Sequence, residues 1–172
     1  ADAYLATLEK VNSDGGNARI FLPDGTYYLG ERVLTELTAD NVSIIGESML
    51  GTVIVNEPKT TKEGIALTAT LLNKSNGLYM QDLTLQNALD YYGNKGTSGG
   101  GRAICLQDKG TNTICKNVRM LSYQDTYYSN NTGNFYFEDS EIHGTVDYLC
   151  GDGNVVYNRV KLVNENRTAS DA

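Results

Sequence analysis

The sequence predicts an all-β fold, a parallel β-helix (solenoid) with a short N-terminal capping helix. Three observations carry this reading. Four apolar segments recur at a step close to 20 residues. Short strand-like runs, punctuated by Gly, Asn and Asp, fill most of the chain. Helical periodicity is confined to the first dozen residues.

Residues 2–12, "DAYLATLEKVN", place Leu5, Leu8 and Val11 at i, i+3 spacing, which predicts one amphipathic helix ended by "SDGG". Strand and turn patterns follow in "ARIFL", "PDGTYYLG", "NVSIIG" and "TVIVN". Eighteen Gly against two Pro suit a chain of many tight turns.

The repeat appears when "MQDLTLQN" (80–87), "CKNVRMLS" (115–122), "FEDSEIHG" (137–144) and "YNRVKLVN" (157–164) are set beneath one another. Leu83, Val118, Ser140 and Val160 share one column, and Leu85, Met120, Ile142 and Leu162 another. Val118 and Ser140 are 22 residues apart, and Ser140 and Val160 are 20 apart. The longer step from Leu83 to Val118 holds "DYYGNKGTSGGG" (90–101), expected as an inserted surface loop. A period of 20–25 residues made of short strands predicts one solenoid coil per repeat. Leucine-rich repeats have a similar period, but their Leu/Asn consensus is missing. On pattern alone an antiparallel sandwich stays open as the alternative.

A chain of 172 residues suits one domain, taken as 1–172. Fourteen Lys and Arg against 21 Asp and Glu leave a net charge of −7, which argues against a nucleic-acid partner. No apolar run approaches the roughly 20 residues of a membrane-spanning helix. No signal peptide is visible, and an opening of Ala1-Asp2-Ala3 suggests a processed chain. Cys105, Cys115 and Cys150 lack metal-type spacing. They are expected as small buried apolar residues; the competing reading is a catalytic thiol served by His143.

Seven residues beyond the first column lie Asp125 and Asp147. Equivalent positions of successive coils stack about 4.8 Å apart, so the two carboxylates are expected side by side. Carboxylates that close cannot both ionise freely, and one then suits attack while the other carries a proton. Asp90 occupies the same position after Leu83, so a mere preference for Asp at a turn remains an equal reading of the repeat. Gln124, beside Asp125, offers an amide donor for a developing oxyanion. Tyr127, Tyr128 and Tyr148 flank the pair, either as stacking faces for sugar rings or as a ladder between coils.

"SYQDTYY" (122–128) and "GTVDYLCG" (144–151) resemble the two signatures of the pectin methylesterase (pectinesterase) family, usually close to Y-Q-D-T-L-Y and G-T-V-D-F-I-F-G. "ARIFLPDGTYYLGERV", "NVSIIGESMLGTVI" and "LYMQDLTLQN" are similar to earlier coils of that family. The resemblance implies a right-handed β-helix and an enzyme that hydrolyses galacturonate methyl esters in pectin. It implies no metal or organic cofactor and a secreted or periplasmic protein; a monomer is expected. By position Asp147 matches the nucleophile, Asp125 the general acid/base and Gln124 an oxyanion donor. Tyr148, Tyr127 and Tyr128 are expected to bind the substrate.

Three departures accompany the match. Arg102, in "GRAICL", stands 22 residues before Gln124, where the family begins a Q-A-V-A-L segment with a second oxyanion Gln. It is expected to bind substrate, through an oxyanion or a neighbouring free carboxylate. Next, the 22-residue spacing from Asp125 to Asp147 is one longer than in the plant enzymes, with "SNNTGN" (129–134) as the site of insertion. Last, the family's G-R-P-W-like segment, whose Arg orients the nucleophile, is not found in the 25 residues after Asp147, and the chain is expected to be incomplete at its C-terminal end. Two rival functions remain: a β-helix that binds acidic polysaccharide without turnover, and a polysaccharide lyase, for which no calcium-binding carboxylate cluster stands out.

Overall fold

The computed structural model describes residues 1–60, 64 and 67–168. The helix α1 (Asp2–Asp14) is followed by β1 (Gly16–Leu22), β2 (Gly25–Tyr28), β3 (Glu36–Leu37), β4 (Asp40–Gly46), β5 (Thr52–Asn56), β6 (Leu71–Asn73) and β7 (Leu78–Asn87). The four-residue helix α2 (Tyr91–Asn94) precedes β8 (Leu106–Asp108), β9 (Asn112–Leu121), β10 (Tyr127–Ser129), β11 (Asn134–Glu138) and β12 (Glu141–Gly144). β13 (Leu149–Gly151), β14 (Asn154–Asn158) and β15 (Lys161–Asn164) complete the described elements.

Every pairing between these strands is parallel, and together they wind a right-handed β-helix with three faces. One face stacks β1, β4, β7, β9, β11 and β14 in that order. A second runs through β2, β5, the later halves of β7 and β9, β12 and β15. The third stacks β3, β6, β8, β10 and β13. Between the first two faces Asp82, Asn117, Asp139 and Arg159 stand in register, with φ of 54, 53, 50 and 53°. Asp and Asn tolerate this left-handed bend best among residues with a Cβ. Side-chain bonds run along the column: Asn117 Nδ2 donates to Asp82 Oδ1 at 2.6 Å, and Arg159 Nε to Asp139 Oδ1 at 2.6 Å.

The columns drawn from the sequence are the strand registers. Leu83 pairs with Val118 and Leu85 with Met120, which continues through Ile142 to Leu162. Inward side chains stack coil on coil: Ile20, Ile44, Met80, Cys115, Phe137 and Tyr157 form one such column. Ser140 interrupts an apolar column, yet its hydroxyl accepts from Val118 N at 3.1 Å and donates to Glu138 O at 2.8 Å, so its burial leaves no unpaired group.

The helix α1 runs two residues beyond the expected stretch and presents Tyr4, Leu8 and Val11 to the core, with Leu5 only partly covered. Gly15 ends it at φ 86°, and its N–H bonds to Val11 O. Packed on β1 and β3, the helix covers core residues that a first coil leaves open. Residues 90–101 leave the second face, form α2 and return at Arg102. Asp90 therefore does not join a carboxylate column; it caps α2, accepting from Gly93 N at 3.0 Å.

Candidate active site

The site lies where the chain bends from the second face to the third. Asp125 N donates to Val146 O at 3.2 Å and Tyr127 N to Tyr148 O at 3.0 Å, which sets the two signature segments in register on adjacent coils. Arg102 bridges to Gln124 one coil earlier, and Ala103 N donates to Gln124 O at 2.9 Å. Three successive coils thus place Arg102, then Gln124 with Asp125, then Asp147 along the helix axis. Asp125 and Asp147 both adopt left-handed backbone, at φ 60 and 49°. Thr126 anchors the turn from below: it is fully buried and donates to His143 O at 2.7 Å.

A cleft of 360 Å³ is lined by Arg102, Gln124, Asp125, Tyr128, Asp147 and Asp152, together with Cys150 and Gly151. Asp147 is exposed there, whereas Asp125 is only 7 % exposed. Burial pushes the Asp125 carboxyl up to about 6, the charge of Asp147 adds to the rise, and Arg102 opposes it. Arg102 Nε lies 3.8 Å from Asp125 Oδ2, beyond a normal hydrogen bond. A buried carboxyl with raised proton affinity beside a more exposed Asp side chain suits a division of labour between acid–base work and attack.

The aromatic residues separate. Tyr128 lines the cleft, and its hydroxyl accepts from Asn130 Nδ2 at 3.1 Å. Tyr127 does not. It points inward in a column with Leu106 and Leu149, is 1 % exposed and meets Phe137 edge-on at 4.7 Å. Its expected contact with a sugar is corrected by the alternation of β10, in which neighbours face opposite sides. Tyr148 is likewise half-buried against the core and leans over Gly144, where a Cβ would meet its own at 2.1 Å. It is not among the residues lining the cleft.

Other cleft residues escaped the sequence reading. Cys150 is paired in register with Tyr128 and therefore faces outward too, unlike the buried Cys105 and Cys115. Burial and the charges of Asp125 and Asp147 push its thiol up to about 12, so it is a poor nucleophile. His143 is engaged on both sides, by Glu165 at 2.6 Å and Glu141 at 2.5 Å, and serves no thiol. Asp152 followed from no motif; the register that sets Gly151 opposite Ser129 brings it to the rim. Beside the cleft, Tyr91 of the loop stacks on Tyr123 with centroids 4.9 Å apart and planes 3° from parallel. The loop also holds the tail, through Tyr92 Oη to Asn166 O at 3.0 Å and Lys95 Nζ to Arg167 O at 2.6 Å. Among the described residues no cluster of three or more His, Cys, Asp or Glu is placed to hold a metal ion, and no helix is long and apolar enough to cross a membrane.

Comparison with known proteins agrees with this fold. Pectinesterase 2.1 of Solanum lycopersicum is 29% identical over 147 residues, covering 84% of this chain and 24% of its own. Pectinesterase B of Dickeya dadantii is 32% identical over 117 residues, covering 59% of this chain and 26% of its own. Among solved structures, the pectin methylesterase from Yersinia enterocolitica superposes with a TM-score of 0.79 at 28% identity, over 94% of this chain and 54% of that one. A pectin methylesterase mutant in complex with a hexasaccharide superposes with a TM-score of 0.75 at 28% identity, over 87% and 47%. The chain thus spans about a quarter of these curated relatives and about half of these solved chains. The family model described as Pectinesterase matches residues 4–172, and the chain belongs to that family.

Proposed function

We propose that this chain carries the acid–base and nucleophile half of a pectin methylesterase site, acting on galacturonate methyl esters of homogalacturonan. The observation that supports it most is the pairing of exposed Asp147 with buried Asp125, whose proton affinity is raised, on adjacent coils of one cleft. Asp147 attacks the C6 carbonyl, and the Gln124 amide donates to the oxygen that becomes negative. The tetrahedral intermediate collapses as the C–OCH₃ bond breaks, and Asp125 gives its proton to the departing methoxide. Methanol leaves and an anhydride joins the galacturonate to Asp147. Asp125, now a carboxylate, takes a proton from water as the water oxygen attacks the anhydride; free galacturonate and Asp147 are restored. Tyr128 offers a ring face at the cleft for the sugar.

The substrate lies outside cells, which favours a secreted or periplasmic setting, and the net charge of −7 favours a monomer at neutral pH and disfavours nucleic acid. The test is methanol release from methyl-esterified pectin. Wild-type protein is expected to release methanol and Asp147→Ala to lose at least about 10³-fold in kcat. No methanol from folded wild-type protein, with binding of the polymer retained, would favour the rival reading of a polysaccharide-binding β-helix.

A further inference from the structure

The return of the 90–101 loop has little stiffness of its own. "GTSGGG" (96–101) offers few side chains to pack, and glycine backbone is the least restricted of any residue. Its turn is held by Thr97 N, which donates to Asn94 O at 2.9 Å, and by Gly100 N, which donates to Thr97 O at 2.9 Å. Yet this return borders the amide of Gln124. A Cβ built on Gly100 would lie 3.9 Å from Gln124 Oε1, and Arg102 pairs with Gln124 in a parallel bridge. A Gln side chain has several rotatable bonds, so its amide keeps one direction only against fixed neighbours.

One ring supplies the fixed neighbour. Tyr91, the first residue of α2, is buried and stacks face to face on Tyr123, the residue before Gln124. The separation of 4.9 Å lies in the range that aromatic pairs favour. Tyr92 meets both rings edge-on at 5.4 Å and steadies the stack. The Tyr91 ring also lies against Gly101, the residue before Arg102. A Cβ on Gly101 would meet Tyr91 Cδ2 at 2.3 Å and Cε2 at 2.7 Å. Gly100 has a left-handed φ of 61°, but Gly101 has no positive φ, so at 101 the ring and not the backbone calls for a glycine. Tyr91 and Gln124 line one recess of 620 Å³. A single side chain thus joins the segment that carries Gln124 to the loop return that borders its amide.

We propose that Tyr91 is a positioning residue for the oxyanion donor: its ring sets the distance between Tyr123 and Gly101, and so fixes the wall that aims the Gln124 amide. This rests on the esterase reading. Tyr91 acts through Gln124 and touches no reacting atom. Its effect falls on the transition state, because the amide meets a full negative charge only as the carbonyl oxygen becomes an oxyanion. A misplacement of about 1 Å in such a group costs up to about 10²-fold in rate.

The experiment follows methanol release from methyl-esterified pectin by wild type, Tyr91→Phe, Tyr91→Ala, Gln124→Ala and the double variant Tyr91→Ala with Gln124→Ala. Tyr91→Phe keeps the ring and is expected to stay within about twofold of wild type. Tyr91→Ala is expected to lose about tenfold in kcat, with KM within about twofold. On the Gln124→Ala background the same truncation is expected to cost no more than about twofold, since the group it positions is gone. A full tenfold loss there, or an equal loss in Tyr91→Phe, overturns the proposal. Gly101→Ala reaches the same contact from the other side and serves where Tyr91→Ala fails to fold. It is expected to lower kcat in the same way, and an unchanged kcat overturns the proposal. The Gln124 side-chain amide gives a readout without turnover. In isotope-labelled protein its NMR signals, assigned by their absence in Gln124→Ala, are expected to be alike in wild type and Tyr91→Phe and to shift and broaden in Tyr91→Ala. Unchanged signals overturn the proposal even where methanol is released. Shifted signals with no methanol from wild type would instead remove the esterase reading and leave the positioning role standing.

Discussion

Asp125 combines three pressures in one carboxyl. Burial raises its proton affinity, Asp147 raises it further, and Arg102 lowers it, with a balance near 6. Because the folded-state value lies above the unfolded one, the group's contribution to stability is complete below the unfolded pKa, near 4, and is lost as pH rises through about 6. A tenfold change in proton affinity is worth about 1.4 kcal/mol, so the ionised carboxylate costs the fold about 1–3 kcal/mol at a pH of about 7.5. Asp125→Asn removes that cost and suits the left-handed φ of 60° equally well. The expected outcome is a higher melting temperature than wild type above pH 6, a gap that closes by pH 4, and loss of esterase turnover. A stability gain independent of pH would remove burial of the charge as its source.

At the level of the element, the site depends on how closely coils pass at the start and end of the third-face strands. Gly151 ends β13 at φ 113°, and a Cβ there would lie 1.7 Å from Ser129 O of β10. Gly151→Ala must therefore push apart the two strands that follow Asp125 and Asp147. It is expected to cost about 3 kcal/mol or more in denaturant unfolding. Gly96, in the 90–101 loop, meets nothing within 4 Å, and Gly96→Ala is expected to stay within about 0.5 kcal/mol of wild type. Equal effects at the two positions would contradict the close packing of β10 on β13. The loop itself rests on the Tyr91–Tyr123 stack, an attachment to the residue next to Gln124 that no sequence spacing announced.

Across the whole molecule, the described coils form one continuous parallel stack. The helix α1 covers the first coil; in the last described coil Leu162 is 46 % and Tyr157 37 % exposed, while their partners Ile142 and Phe137 are fully buried. At neutral pH the charge of −7 holds copies apart, and that protection vanishes near the pI of about 4.6. The 172-residue chain is expected to be least soluble near pH 4.6, as turbidity against pH will read. A solubility minimum well away from that pH would remove loss of net charge as its cause.

The coil period, the apolar columns and the juxtaposition of Asp125 with Asp147 were legible in the sequence for a local reason. In a parallel solenoid each coil repeats the last, so a constant spacing along the chain becomes contact between neighbours. Residues 90–101 were legible as an interruption of that period, but not in their attachment. Three things needed the tertiary structure. Tyr127 and Tyr128 are adjacent and chemically identical, and the register of β10 between β8 and β13 alone sends one into the core and the other to the cleft. The helix α2 took Asp90 out of the column, a choice made by the loop's own fold. The proton affinity of Asp125 and the reach of Arg102 depend on atoms from three coils at once, because burial and Coulomb forces act through space and not along the chain.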